Sequence, residues 1–394
     1  MPLDFQQVRL QVNAMGEGAP RRFEELQRKR NDAVGILQKN ADRLSELQDK
    51  VIDAVGANPN LRCASPTSES LNYQLNTPAL PEQVVLLAAD GSQINPNRHG
   101  SIDYCLVNVG AIKMVLGSPN PPETEVQTRL FFDEEMYIDS GRITESYVAL
   151  MRDLRERELL AELIQGIDQY VITLTDGPLE IWESRDSATD SREFIKRFDQ
   201  FLDSLRQLQH NGASTAGYID RPHSDLVVRL LEIATLPKDQ INKAGRNFRP
   251  FSGVTDTALF SQTLQPGQRS ALFRIQSRNS KKYEDDLALH FFYINVGDRE
   301  NQNDLVRVEL PAWVAENVSM LNDLHAVIVQ QCAVLGSRRY PYIIHRSHEV
   351  AVVTQDERIQ LERMIALEFI RRGLSVGEVS HKQGTKDLPG RTRI

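Results

Sequence analysis

The chain is poor in cysteine. It has three, Cys63, Cys105 and Cys332, odd in number and far apart. That pattern excludes a disulfide framework and a thiolate zinc site, and it fits a reducing compartment. No apolar run approaches the roughly 20 residues of a membrane span. The opening residues, Met1-Pro2-Leu3-Asp4-Phe5, lack a basic stretch followed by an apolar one. Secretion is therefore not expected, and a cytoplasmic location is. Excess positive charge is also missing: 46 Lys and Arg stand against 54 Asp and Glu, a net charge of -8. A protein that coats nucleic acid through bulk charge is thereby disfavoured. There is no internal repeat and no low-complexity tract. The two tryptophans, Trp182 and Trp313, read as packing residues.

What is present is the composition of a soluble globular protein: 394 residues, 40% hydrophobic and 25% charged. From about Arg21 to Val55 the pattern is polar and helical. Leu37, Leu44 and Val51 recur every seven residues, with Leu47 and Val55 extending the stripe. This predicts an N-terminal helical arm that packs on the domain or on a second subunit. Ala57 to Pro81 is rich in Asn, Pro and Ser and reads as a connector. Arm and connector together are placed at 1–75, the main domain at 76–372 and a polar tail at 373–394.

In the main domain, strands are predicted from Val84, across Ile102 to Leu116 with a break at Gly110, and over Thr128 to Ile138. A helix follows within 140–166, then a strand at Tyr170 to Thr175. That order lets the last strand pair beside the first, an α/β arrangement. Thr215 to Ile219 and the runs 271–275, 287–296 and 305–310 also read as strands. Thr354 and Glu357 form a capping-box pair that starts the last helix.

Two runs carry the chemical signal. Val84 to Ser92 and Tyr170 to Gly177 each read as a buried strand ending on an aspartate, Asp90 or Asp176, that turns on a glycine. Two such carboxylates on neighbouring strands can hold a divalent cation. A third carboxylate is expected on the intervening helix, from among Glu156, Glu158 and Glu162. Glu158 and Glu162 share a face, one turn apart. Ser92 is disfavoured as a nucleophile, because no Gly-x-Ser-x-Gly elbow surrounds it.

One segment opposes the acidic background. Between Leu236 and Lys282 lie nine Lys and Arg, among them Arg246, Arg249 and Arg274, against only Asp239 and Asp256. Phe248, Phe251, Phe260 and Phe273 are interleaved. Basic residues mixed with aromatics are a phosphate-backbone or single-strand surface, or else a solvated loop over core phenylalanines.

At this point the residues resemble the NurA nuclease family, whose members partner the HerA hexameric DNA-translocating ATPase. Ala89-Asp90-Gly91-Ser92 resembles the family's first motif. The family places a glutamate on a helix 17 to 19 positions before the second aspartate. Glu158 stands 18 before Asp176 and is the match. The last motif, a tyrosine with a histidine eight residues on, matches Tyr340 and His348, with His345 as a competitor. Segments 217–228 and 265–270 are also similar. Two positions depart: Pro178 stands where serine is common, and Asp220 where many relatives carry lysine.

The resemblance implies an RNase H-like mixed sheet flanked by helices, a homodimer, and a Mn²⁺-dependent (or Mg²⁺-dependent) nuclease that processes DNA ends in double-strand break repair. Asp90, Glu158, Asp176 and His348 would be metal ligands. Tyr340 and His348 would serve the phosphate and the attacking water from one helix. A different class, a catalytically weak DNA-binding adaptor or clamp for the ring ATPase, is the alternative. Small site roles for His223, His99 and Arg98 are weaker readings.

Overall fold

A computed structural model describes residues 3–97, 102–139, 141–183, 191–245, 247–298 and 304–373. The expected roles of His99, Arg98, Arg246 and the tail beyond 373 lie outside the described residues. The chain forms two units, each discontinuous in sequence. One contains 1–80, 177–180 and 217–339; the other contains 81–176, 181–216 and 340–394.

The first unit begins with helices α1 (Phe5–Lys39) and α2 (Leu44–Ala57). The heptad stripe predicted one arm; the structure breaks it at 40–43. The C-terminal half of α1 buries Ala33 and Leu37, and α2 buries Leu47, Val51 and Ala54. These residues pack on helices α5 (Leu226–Thr235) and α6 (Asp256–Phe260). The predicted connector is not structureless. It holds strands β1 (Cys63–Pro66) and β2 (Gln74–Leu75). Antiparallel to β1 runs β11 (Phe273–Gln276), followed by β12 (Leu289–Asn295), β13 (Leu305–Pro311) and the last half of β9 (Ser214–Ile219). A short strand, β10 (Arg269–Ser270), joins β2 and β12. Helices α7 (Ala312–Ala315) and α8 (Val318–Val334) complete the unit.

The second unit carries the mixed sheet expected of the RNase H-like class. Strands β3 (Val85–Ile94), β4 (Tyr104–Val115) and β5 (Glu123–Phe132) pair antiparallel in sequence order. A small hairpin, β6 (Tyr137–Ile138) with β7 (Gly141–Arg142), leads into helix α3 (Glu145–Leu163). Strand β8 (Val171–Asp176) then returns beside β3, parallel to it. Helix α4 (Ser191–His210) lies beside α3. Helix α9 (Tyr342–Ala351) packs across β3 and β4. Helix α10 (Gln355–Arg371) starts on the predicted Thr354–Glu357 capping box. Its Leu361 and Ile365 cover a small core of Ile94, Tyr104 and Leu106.

Two expectations change here. Gly110 does not break its strand: β4 runs straight through it. Nor does β3 end at Asp90. It continues to Ile94 because β4 keeps pairing with it, from Gly91 opposite Val109 to Ile94 opposite Leu106. Asp90 instead marks the point where the β3–β8 ladder stops.

Candidate active site

The site is built on β3 and β8. Residues Val85 to Ala89 are fully buried, and each large aliphatic side chain there contributes roughly 2 kcal/mol. The strand is therefore held rigidly up to Asp90. Its pairing with β8 runs in parallel register from Val85 beside Val171 to Ala89 beside Thr175. The next residues are Asp90 and Asp176. Both lie one step past the last registered pair, and residues at equal positions on neighbouring parallel strands project to the same face of the sheet. Beyond Asp176, β8 does end as predicted. Gly177 adopts a positive φ of 84°, a conformation glycine enters without Cβ strain.

The opposite wall is α9. Its His348 Nδ1 lies 2.6 Å from Asp90 Oδ2, while Asp90 Oδ1 accepts the Gly91 N–H at 2.8 Å. The Asp90 side chain is 16% exposed and that of His348 59%. A half-sunk carboxylate thus orients a solvent-facing imidazole. Three contacts seat the C-terminal end of the helix. Ser92 Oγ donates to the Ala351 carbonyl at 2.6 Å and accepts the Val353 N–H at 3.0 Å. Asn108 Nδ2 donates to the same carbonyl at 2.7 Å. At Gly110 the helix comes so close that a Cβ would lie 2.6 Å from Val350 Cγ2 and 2.8 Å from the Ala351 nitrogen. Ser92 is accordingly a staple under α9.

His345 pairs with Glu349 on its own helix, 3.5 Å away. Of the two histidines, His348 is the one placed against Asp90. Tyr340 is half-buried and precedes the cap residue Pro341, which holds an extended backbone. It lies outside α9, so it does not share a helix with His348 as expected. The cause is local: the residue before a proline is steered away from helical geometry.

The three glutamates of α3 separate clearly. Glu158 bonds Arg155 at 3.1 Å and lines a groove against β5. Glu162 also bonds Arg155, which lowers its pKa, and stays half-exposed. Glu156 is buried beneath Gly91; a Cβ on that glycine would meet Glu156 Oε1 at 2.9 Å. Burial pushes the Glu156 carboxyl up to about 8. Arg157, 2.5 Å away, opposes that shift, while Asp153 and Asp90 add to it. The structure therefore brings Glu156, not Glu158, to the backbone beside Asp90. The signal in the sequence was the glycine that follows Asp90, which permits close approach of a helix.

Among the described residues, no group of three or more His, Cys, Asp or Glu side chains closes on one point as a metal cage. Small hard cations do not require one. They bind through one or two carboxylates, keep several waters and add substrate phosphates. Asp90 and Asp176 fit that mode.

The basic segment is differently used than expected. Phe251, Phe260 and Phe273 are buried in the core. Arg269 is buried and grips Glu69 at 2.7 and 2.9 Å. Arg249 binds Asp225 and reaches buried Glu232 at 3.1 Å. Of the two candidate DNA contacts within the described residues, Arg274 is exposed, on β11. Arg249→Ala is expected to lower stability by about 1 kcal/mol, because it strips a partner from buried Glu232. A urea titration checks this; an unchanged midpoint would show the contact to be idle.

The sheet, with paired aspartates where two parallel strands part and a histidine on one of them, defines a mixed α/β protein with a carboxylate-rich candidate active site. The NurA domain family matches residues 84–353, more than half of the chain. The chain belongs to the NurA family. Among solved structures it is similar to the NurA nuclease from Sulfolobus solfataricus, over 85% of this chain and 98% of that one, at 11% identity and a TM-score of 0.46. It is similar to a NurA crystal structure with manganese over 74% and 91%, at 13% identity and a TM-score of 0.36. For the catalytic domain of human endonuclease V the figures are 82% and 98%, 10% and 0.30. No curated protein matches in sequence. No helix among the described residues is long and apolar enough to cross a membrane.

Proposed function

We propose that this chain is a divalent-metal-dependent nuclease that processes DNA ends, acting as a homodimer with a HerA-type ring ATPase. The observation that carries the reading is the pair Asp90 and Asp176 at adjacent register positions, with His348 on Asp90. Both aspartates would hold Mn²⁺ or Mg²⁺, with buried Glu156 behind Asp90 and Glu158 as the spacing-based alternative. When bound, the metal polarises the scissile phosphate and lowers the pKa of the attacking water.

The chain's own residues do the rest. Asp90 fixes the imidazole of His348 through Nδ1 and turns Nε2 outward. From there Nε2 can take a proton from water or return one to the leaving oxygen. Tyr340, just before α9, would hydrogen-bond the phosphate. The dimer and the ATPase contact draw support from α1. Its N-terminal half leaves Phe5, Val8, Val12 and Met15 exposed along one stripe. Three buried free cysteines agree with a cytoplasmic location.

The second reading is a weakly catalytic DNA-binding adaptor for the ATPase. One assay separates them: linear single- and double-stranded DNA with Mn²⁺, Mg²⁺ or chelator. Metal-dependent cleavage, lost on chelation, is expected. An inactive wild type that still stimulates the ATPase would establish the adaptor.

A further inference from the structure

A groove in the second unit is lined by none of Asp90, Asp176, Glu156 and His348. It runs between β5 and the helices α3 and α4, as two adjoining cavities of about 290 and 500 Å³. Arg129, Phe131, Met151 and Arg197 line both. Five cations face it: Arg129, Arg155, Arg192, Lys196 and Arg197. Four acids, Glu135, Asp139, Glu158 and Glu193, stand against them. The guanidinium of Arg129 lies 4.6 Å over the Phe131 ring, and that of Arg197 lies 5.9 Å over Tyr147. Tyr137, 60% exposed, lines the outer cavity. In the strand order β5 is terminal, so the groove lies along an open sheet edge.

We infer that this groove seats a short single-stranded stretch of DNA, the unpaired strand of an end being processed. Three features lead there. Exposed Tyr137 offers a flat face, and base stacking on aromatics accepts any sequence. Ring-stacked guanidiniums present their edges to phosphate and their planes to bases. The cavities have the size of a few nucleotides and cannot admit a duplex. The near-balance of charge adds a quantitative constraint. Glu135 holds Arg129 at 2.9 Å, and Glu193 holds Arg197 at 3.1 Å. A phosphate must displace a carboxylate at Arg129 and at Arg197, so few net contacts form and the salt dependence is shallow. Glu158 belongs to this lining, bound to Arg155, and so keeps a guanidinium in place for the strand. The inference rests on the nuclease reading and deepens it.

The test uses the full-length protein in chelator, so that nothing is cleaved, and a fluorescein-labelled oligothymidine followed by anisotropy. Arg129→Glu and Tyr137→Ala alter exposed side chains and leave the fold intact, which a thermal melt checks. Each should weaken oligothymidine binding about fivefold to tenfold, with blunt duplex binding changed less than twofold. Tyr137→Phe should bind as wild type, since the ring remains. Arg129→Glu should also reduce the salt slope by about 0.7, the share of one phosphate on a single strand. Should Arg129→Glu misfold, Tyr137→Ala against Tyr137→Phe decides alone. Unchanged affinity, or equal losses for duplex, overturns the groove while Mn²⁺-dependent cleavage by wild type keeps the nuclease reading. A wild type that neither cuts DNA nor binds oligothymidine overturns both.

Discussion

Asp90→Ala is expected to reduce metal-dependent cleavage of linear DNA by about 10³-fold or more, with little loss of stability. The size follows from its two tasks. On the proposed reading it would supply one of two carboxylates to the cation, whose charge stabilisation would be several kcal/mol, and each 1.4 kcal/mol is tenfold in rate. It also fixes His348, whose proton transfer is a further factor of about 10². Structurally Asp90 does little else; Oδ1 takes only the N–H of its own neighbour Gly91, about 1 kcal/mol. Asp176→Ala should lose cleavage comparably and His348→Ala less. Asp90→Ala combined with His348→Ala should cost much less than the product of the two, because the imidazole without its partner is already misplaced. Single-turnover cleavage and calorimetric Mn²⁺ titration read the two tasks separately. If Asp90→Ala and Asp176→Ala are both folded and both cut at wild-type rates, the site lies elsewhere.

Much of this arrangement was legible in the chain, and the limits have physical causes. Apolar runs such as Val84 to Ala89 and Tyr170 to Leu174 announce buried strands, and their equal relation to Asp90 and Asp176 anticipates neighbouring positions. The Thr354–Glu357 pair announces a helix start because the capping box is local. What failed to show depends on partners distant in sequence. Asp90 followed by glycine looks like a turn, and only the continued pairing of β4 makes it mid-strand. Among the glutamates of α3 spacing pointed to Glu158, while the structure sets Glu156 beneath Gly91. Glu156 is buried together with its partner Arg157, which neither residue's local pattern announces. The phenylalanines of the basic segment resembled a stacking surface, yet Phe251, Phe260 and Phe273 fill a core that the sequence offers no local means of locating.

Gly110→Val is expected to impair the enzyme nearly as much as losing His348, from a position that carries no functional group. Valine ordinarily favours a strand over glycine by up to about 1 kcal/mol. Here that preference meets a harder limit. A Cβ at 110 would stand 2.8 Å from the backbone nitrogen of Ala351, and backbone cannot swing aside as a side-chain tip can. Valine adds two methyl groups beyond that Cβ. Overpacking of this kind costs typically 1–3 kcal/mol, so the clash outweighs the propensity. Relief comes only by lifting α9 from β4. That motion breaks the Ser92 and Asn108 bonds to the Ala351 carbonyl and carries His348 away from Asp90. Strands β3 and β8 pair on the far side of β3 and stay in register. The variant should therefore still bind Mn²⁺ through Asp90 and Asp176, melt at lower temperature, and cut DNA about 10²-fold more slowly. Wild-type cleavage by Gly110→Val would mean that the seating of α9 does not matter, and His348 would lose its role with it.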